Sequence, residues 1–68
     1  MYYDTENVFT QQHDDTKIMV VYDKGFEVYY KRDGFPYMFA FGLPGVHTLV
    51  EVFAVAYANM NKYADLFD

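Results

Sequence analysis

The residues best suited to chemistry are the two histidines and the carboxylates beside one of them. His13 is followed by Asp14 and Asp15, and His47 supplies the second imidazole. Imidazoles and carboxylates bind zinc, but none of these residues has the i, i+4 spacing that brings two ligands to one helix face. We therefore interpret residues 13–16 as a polar turn, in which Asp side chains bond to nearby backbone N–H groups. No metal site and no other cofactor is expected.

Nucleophiles and acid–base pairs are equally scarce. The chain contains no cysteine and no serine, so thiol and serine nucleophiles are excluded. Glu27 and Glu51 are the only glutamates near predicted core elements, but Glu27 points outward from a strand and Glu51 suits a helix cap. A domain of 68 residues also has little room for a pocket of roughly 300 Å³ or more. We expect a protein that is not an enzyme and has no catalytic residues.

The charge balance narrows the range of partners. Five basic and ten acidic residues give a net charge of -5. This charge opposes direct binding to nucleic acid and to anionic membranes, both of which select for clustered Lys and Arg. Two interpretations remain open: the charge keeps an aromatic-rich protein soluble, or an acidic surface binds a basic protein partner.

Targeting signals are not evident in the sequence. The first residues carry acidic groups and no apolar segment of the kind found in signal peptides. The apolar run 49–58 is about half the length of a membrane span and contains Glu51. We expect a cytoplasmic protein that does not enter the membrane.

Alternating apolar residues in the stretch 17–41 predict a β-meander of three strands. A three-residue loop, Asp23-Lys24-Gly25, suits a type I turn followed by a left-handed Gly. A two-residue type I′ turn at Asp33-Gly34 is favoured for the second connection, because its register sends the large side chains to one face. Pro36 marks the last strand as an edge strand, since it has no N–H to donate. The predicted inner face comprises Ile18, Val20, Tyr22, Phe26, Val28, Tyr30, Tyr37, Phe39 and Phe41.

The segments on either side of this meander complete the predicted fold. Residues 1–16 favour a short edge strand, with a short helix as the alternative. Thr48 and Glu51 form a capping-box pattern that opens an amphipathic helix of about five turns within 46–67. The sequence thus predicts a single α+β domain, residues 1–68. It is an antiparallel meander of three to four strands with one C-terminal helix packed on one face.

Two surfaces of this fold are candidates for binding a partner. One helix covers only one face of the sheet, so the other face is either an ordinary half-solvated surface or a contact surface. The turns at one end of the sheet would also gather three carboxylates into an acidic rim. The candidate partner-binding residues are Met19, Val21, Glu27, Tyr29 and Met38 on the free face, and Asp14, Asp15 and Asp33 on the rim.

A very short, acidic, cysteine-free chain with hairpins over 17–41 and one helix from Thr48 resembles the small inhibitors encoded by bacteriophages, of which the anti-CRISPR proteins are the best-known group. The resemblance concerns size, charge and architecture, and no functional residue is carried over from it. It implies an inhibitor that binds and occludes a basic, nucleic-acid-handling defence complex in the host cytoplasm. The alternative is a structural or oligomerisation module that forms a homodimer through the free sheet face.

Overall fold

Four antiparallel strands lie side by side in chain order in a computed structural model that describes residues 7–68. The α-helix α1 (Leu49–Ala58) and a short 3₁₀ helix (Ala64–Phe67) follow the sheet. The predicted α+β class, a meander with a C-terminal helix, is confirmed. The edge strand favoured within 1–16 is present as β1, whereas residues 1–6 lie outside the described part. The strands are β1 (Val8–His13), β2 (Thr16–Tyr22), β3 (Phe26–Lys31) and β4 (Met38–Leu43).

The hairpin between β2 and β3 has the predicted register. Tyr22 pairs with Phe26 across the three-residue loop. The loop itself differs from the prediction, because the left-handed residue is Lys24 (φ 60°) and not Gly25 (φ 159°). The Asp23 N–H donates to the Gly25 carbonyl at 2.8 Å, so backbone pairing extends beyond the strands to Asp23 and Gly25. The chain therefore reverses its direction at Lys24.

The connection between β3 and β4 is longer than the predicted type I′ turn, and that prediction is wrong. A type I′ turn needs positive φ at both central residues, but in the pair Asp33-Gly34 only Gly34 has it (φ 85°). The Phe35 N–H instead donates to the Arg32 carbonyl at 3.0 Å. Strand β4 begins only at Met38, so Pro36 lies in the loop between β3 and β4. β4 is nevertheless an edge strand, as predicted.

A β-bulge then changes which side chains of β4 face the core. Tyr29 pairs with Phe39 and Val28 with Phe41, which leaves Ala40 as an extra, unpaired residue. Phe39 pairs with the outward-facing Tyr29 and is 54% exposed, and the bulge returns Phe41 to the inner face, where it packs against the core. The predicted inner face is therefore wrong at Phe39. It is also wrong at Tyr37, which precedes β4 and lies beside Thr10 and Lys17.

The core lies between the inner face of the sheet and α1. Tyr30 is fully buried, and its hydroxyl donates to the Ala56 carbonyl at 2.6 Å, which ties β3 to the helix. The N-terminus of α1 has the predicted capping box between Thr48 and Glu51. The buried apolar residues are Ile18, Val20, Phe26, Val28, Tyr30, Val52, Phe53 and Ala56.

The helix is half as long as predicted for 46–67, because it ends at Ala58. The Asn59 side chain donates to the Val55 carbonyl at 2.8 Å, a local bond that competes with continuation of the helix. The chain then turns back over β4, where Tyr63 stacks on Phe41 with ring centroids 5.3 Å apart. A straight helix would not bring these residues over β4.

Candidate functional site

The candidate site is the outer face of the sheet, opposite α1. Its centre is one row across all four strands, in which Thr10 pairs with Met19, Met19 with Tyr29, and Tyr29 with Phe39. The buried residues of α1 pack against the opposite, inner face. Within residues 7–68, no helix covers this row. The row therefore presents a thioether and two aromatic rings to solvent.

Tyr29 makes two side-chain contacts with other residues of this face. Its ring meets Phe39 edge-to-face, with centroids 5.5 Å apart and an interplanar angle of 73°. Its hydroxyl donates to Glu27 Oε1 at 3.1 Å. Partial burial, this hydrogen bond and the Glu27 charge together raise the pKa of Tyr29. The ring is thus held from two sides, which lowers the entropy lost when it enters a partner's pocket.

The structure brings most of the predicted face residues together and excludes one. Met19, Val21, Glu27 and Tyr29 lie on the outer face, each half-buried among its neighbours. Met38 does not, because it pairs with the inward-facing Tyr30. That prediction is wrong, and Phe39, which the sequence assigned to the core, takes its place beside Tyr29. The longer β3–β4 loop causes both errors, because it pairs Met38, and not Tyr37, with Tyr30. The bulge at Ala40 then returns Phe41 to the inner face.

The turns at one end of the sheet form a rim of mixed charge. Asp14, Asp15 and Asp33 line a small cavity of about 100 Å³, as the acidic-rim hypothesis requires. The same cavity is lined by three of the chain's five basic residues, Lys17, Lys31 and Arg32. Three carboxylates beside three cations give no strong local negative charge. The rim therefore adds polar contacts at the end of the outer face. Its mixed charges do not create a negative potential that would steer a basic partner.

Thr16 and Arg32 hold this rim together. Arg32 Nε donates to Thr16 Oγ1 at 3.2 Å, and the Thr16 hydroxyl donates to Asp15 Oδ1 at 3.2 Å. The Arg32 guanidinium also lies over the Phe67 ring, 5.1 Å from its centroid. The turn and the loop are thus fastened to each other and to the C-terminal 3₁₀ helix.

The histidines have structural contacts at opposite ends of the helix. The His13 ring lies 4.8 Å from the Tyr57 ring, and its Nε2 is 3.0 Å from Gln11 Oε1. His47 Nε2 is 3.0 Å from the Pro44 carbonyl oxygen. Among the residues that the structure describes, no three His, Asp or Glu side chains are grouped as metal ligands.

An apolar groove of about 320 Å³ lies at the other end of the molecule, and sequence reasoning missed it. The loop before α1 forms one wall with Val46 and His47, and the β2–β3 hairpin forms another with Tyr22 and Phe26. The one sequence signal was Val46, an apolar residue in a loop of Gly and Pro. The groove has no charged lining residue and no acid–base pair.

The chain matches no protein-family model, no curated protein and no solved structure. In the stretch 7–68, no helix is both long and apolar enough to cross a membrane.

Proposed function

We propose that this chain is a non-enzymatic protein-binding protein that contacts its partner through the outer face of the sheet. The observation that carries the proposal is the row Met19–Tyr29–Phe39, which lies on the face opposite the helix and holds a preorganised aromatic pair. Tyr, Phe and Met are enriched in the cores of interfaces, where rigid rings fill pockets at little entropic cost. The rim at Asp14, Asp15 and Asp33 extends this surface with polar contacts.

For the biological role, we propose an anti-CRISPR-like phage inhibitor that acts in the host cytoplasm by occluding a nucleic-acid-handling complex. Three features support this role: a length of 68 residues, a net charge of -5 and the meander-plus-helix architecture. The mixed charge of the rim modifies the mechanism. Recognition depends chiefly on the apolar row, and the overall negative charge contributes long-range attraction to a basic partner.

The test is capture of a partner from a bacterial lysate by the immobilised chain, followed by a nucleic-acid-binding assay on the captured complex. We expect recovery of a basic nucleoprotein complex that no longer binds its nucleic acid when the chain is added in excess. Recovery of the chain alone would contradict the proposal. So would a captured complex that keeps its nucleic-acid binding unchanged.

Variants then locate the contact surface. Tyr29→Ala and Phe39→Ala should each weaken partner binding by about 30-fold, the effect of losing an interface hot spot of roughly 2 kcal/mol. Tyr57→Ala is the matched control, because Tyr57 is an exposed aromatic residue on the helix. Equal losses in all three variants would show that the sheet face is not the contact. Urea unfolding of each variant verifies that it is folded.

A homodimer through the same face is the second candidate function. The outer face has Lys17 and Lys31 towards one end and Glu27 towards the other, as their strand pairings place them. Two copies packed face to face about a two-fold axis would bring the lysines of one over the glutamate of the other. Tyr29→Arg should then abolish self-association in sedimentation experiments. A dimer that survives this substitution contradicts the second candidate.

A further inference from the structure

Strand β1 is an edge of the sheet that lacks the usual protection against pairing with a further strand. Within residues 7–68, no strand pairs with its free side. Alternate residues of an edge strand direct their backbone N–H and C=O groups away from the sheet, and charged side chains, Pro or a bulge normally protect this side. β1 has the sequence VFTQQH, with no Lys, Arg, Asp, Glu or Pro, and it pairs with β2 without a bulge. The other edge strand, β4, has the bulge at Ala40, so β1 is the edge more open to a further strand.

One side of α1 leaves apolar side chains exposed next to this edge. The Tyr57 ring lies 4.8 Å from the ring of His13, the last residue of β1, so Tyr57 is on the β1 side of the helix. Val50 precedes Tyr57 by about two helical turns and therefore lies on the same side. Val50 is 80% exposed and Tyr57 is 58% exposed. These two residues, here called the helix flank, present apolar surface to solvent beside β1.

The position of α1 over the sheet places the helix flank at the β1 edge. Of the four strands, α1 packs chiefly against β2. The other half of the inner face is covered by the C-terminal segment, in which Tyr63 stacks on Phe41 of β4. The helix thus lies off the centre of the sheet, towards β1. A strand added beside β1 would lie about 10 Å from β2, and its inward side chains would stand beside the helix flank.

We propose that the free side of β1 binds an extended segment of a partner protein as a fifth strand, whose apolar side chains pack against the helix flank. This site is separate from the outer face. The β1 backbone supplies the hydrogen bonds, and Val50 and Tyr57 select apolar residues at alternate positions of the segment. Val50 and Tyr57 lie about 10 Å apart along the helix, the length of about three strand residues, so two successive inward residues fit alongside them.

The outer side of the added strand determines its polar residues. Thr10 pairs with Met19 and Gln12 with Lys17, so both of these β1 side chains lie on the outer face, and both are exposed. They would flank the added strand and favour polar residues at its outward positions. The net charge of -5 favours Lys or Arg over Asp or Glu at these positions. The site therefore fits a segment in which apolar residues alternate with polar or basic ones.

A second copy of this chain fits the same edge less well. Pairing of two β1 strands would set the two α1 helices, each over its own β2, about 14 Å apart, the width of three strand spacings. Packed helices lie about 8–10 Å apart, so neither helix flank would be covered by the other helix. Two chains of charge -5 also repel each other. The edge therefore favours a strand from a different protein.

A synthetic peptide in which Val alternates with Thr and Lys tests the proposal on the full chain. Amide NMR should show saturable shifts in β1 and at Val50 and Tyr57, and none in β4. A peptide of the same composition with its Val residues contiguous should bind at least about tenfold more weakly, because it lacks the alternation that a pleated strand requires. Absence of saturable shifts, or equal binding of the two peptides, would overturn the proposal.

Amide hydrogen exchange in the same samples distinguishes strand pairing from non-specific apolar contact. In the free chain, alternate β1 amides point away from β2 and should exchange rapidly with solvent. Saturating peptide should slow the exchange of these amides at least about tenfold, because they gain carbonyl acceptors. Unchanged exchange in β1, even with shifts at Val50, would mean that no fifth strand forms and would also overturn the proposal.

Substitutions locate the apolar contact. Val50→Ser and Tyr57→Ser should each weaken peptide binding about three- to tenfold, because each removes apolar area from the helix flank. Tyr29→Ala on the outer face is the matched control and should leave peptide binding unchanged, so the result is independent of partner binding by that face. Equal losses in the three variants would contradict a contact at the helix flank. A dimer formed through β1 in the absence of peptide, detected by sedimentation, would overturn the assignment to a partner's strand.

Discussion

At the scale of single residues, the Tyr30 hydroxyl is the polar group on which the core most depends. It donates to the Ala56 carbonyl at 2.6 Å between a buried strand and a buried helix face. Tyr30→Phe should lower the free energy of unfolding by about 1–3 kcal/mol, because the carbonyl loses its strongest partner inside the core. Urea titration measures this change. Tyr22→Phe, at a half-exposed ring, should change it by less than about 0.5 kcal/mol.

The ionisation of Tyr30 should make the free energy of unfolding depend on pH. Burial and the neighbouring Tyr63 raise the pKa of Tyr30 from 10.0 to about 12. Because the folded state favours the neutral phenol, this stabilisation is complete below pH 10 and is lost as the pH rises towards 12. The stability difference between the native chain and Tyr30→Phe should therefore shrink across that window. A difference that stays constant between these two pH values would contradict the assignment.

At the scale of elements, the bulge in β4 can be tested by comparing two phenylalanines two residues apart. Phe41→Ala should cost about 2 kcal/mol or more, because the ring packs on the core and stacks on Tyr63 at 5.3 Å. Phe39→Ala should cost less than about 1 kcal/mol, because that ring is on the outer face. In a bulge-free strand both rings would share one face, so similar losses in unfolding experiments would argue against the bulge.

The elements also show why part of the fold was predictable from the sequence. The β2–β3 register followed from local features, a three-residue loop between two alternating strands. The start of α1 followed from Thr48 and Glu51, which satisfy each other's backbone groups. Both features depend on residues within a few positions of each other. The placement of Tyr29 on the outer face followed from the same strand alternation.

The remaining elements depend on contacts between distant parts of the chain. The β4 bulge fits Phe41 under Tyr63, and the β3–β4 loop fits Phe35 against Phe67, with centroids 5.2 Å apart. More than twenty residues separate the members of each pair, so strand alternation alone favoured an unbulged strand. Phe39 was misassigned because the β3–β4 loop is longer than predicted. The helix end at Ala58 is part of the same arrangement, since only a bent C-terminus covers β4.

At the scale of the whole molecule, sixty-eight residues cannot enclose two faces of a four-stranded sheet and all sides of a helix. Within residues 7–68, the chain covers the inner face and leaves two apolar surfaces exposed, the sheet row at Tyr29 and the solvent side of α1 around Ala54. These surfaces lie on opposite sides of the molecule, because α1 packs on the inner face of the sheet.

Salt should separate partner binding from self-association, since the net charge acts on them with opposite sign. Two copies, each of charge -5, repel, and raising NaCl from about 30 to 300 mM screens that repulsion. Self-association that is limited by this repulsion should therefore tighten over the same range. Binding of a basic partner gains from attraction and should weaken over the same range. Sedimentation measures the first constant and fluorescence anisotropy of the labelled chain measures the second. Partner binding that does not weaken with salt would contradict a contribution of the net charge to recognition.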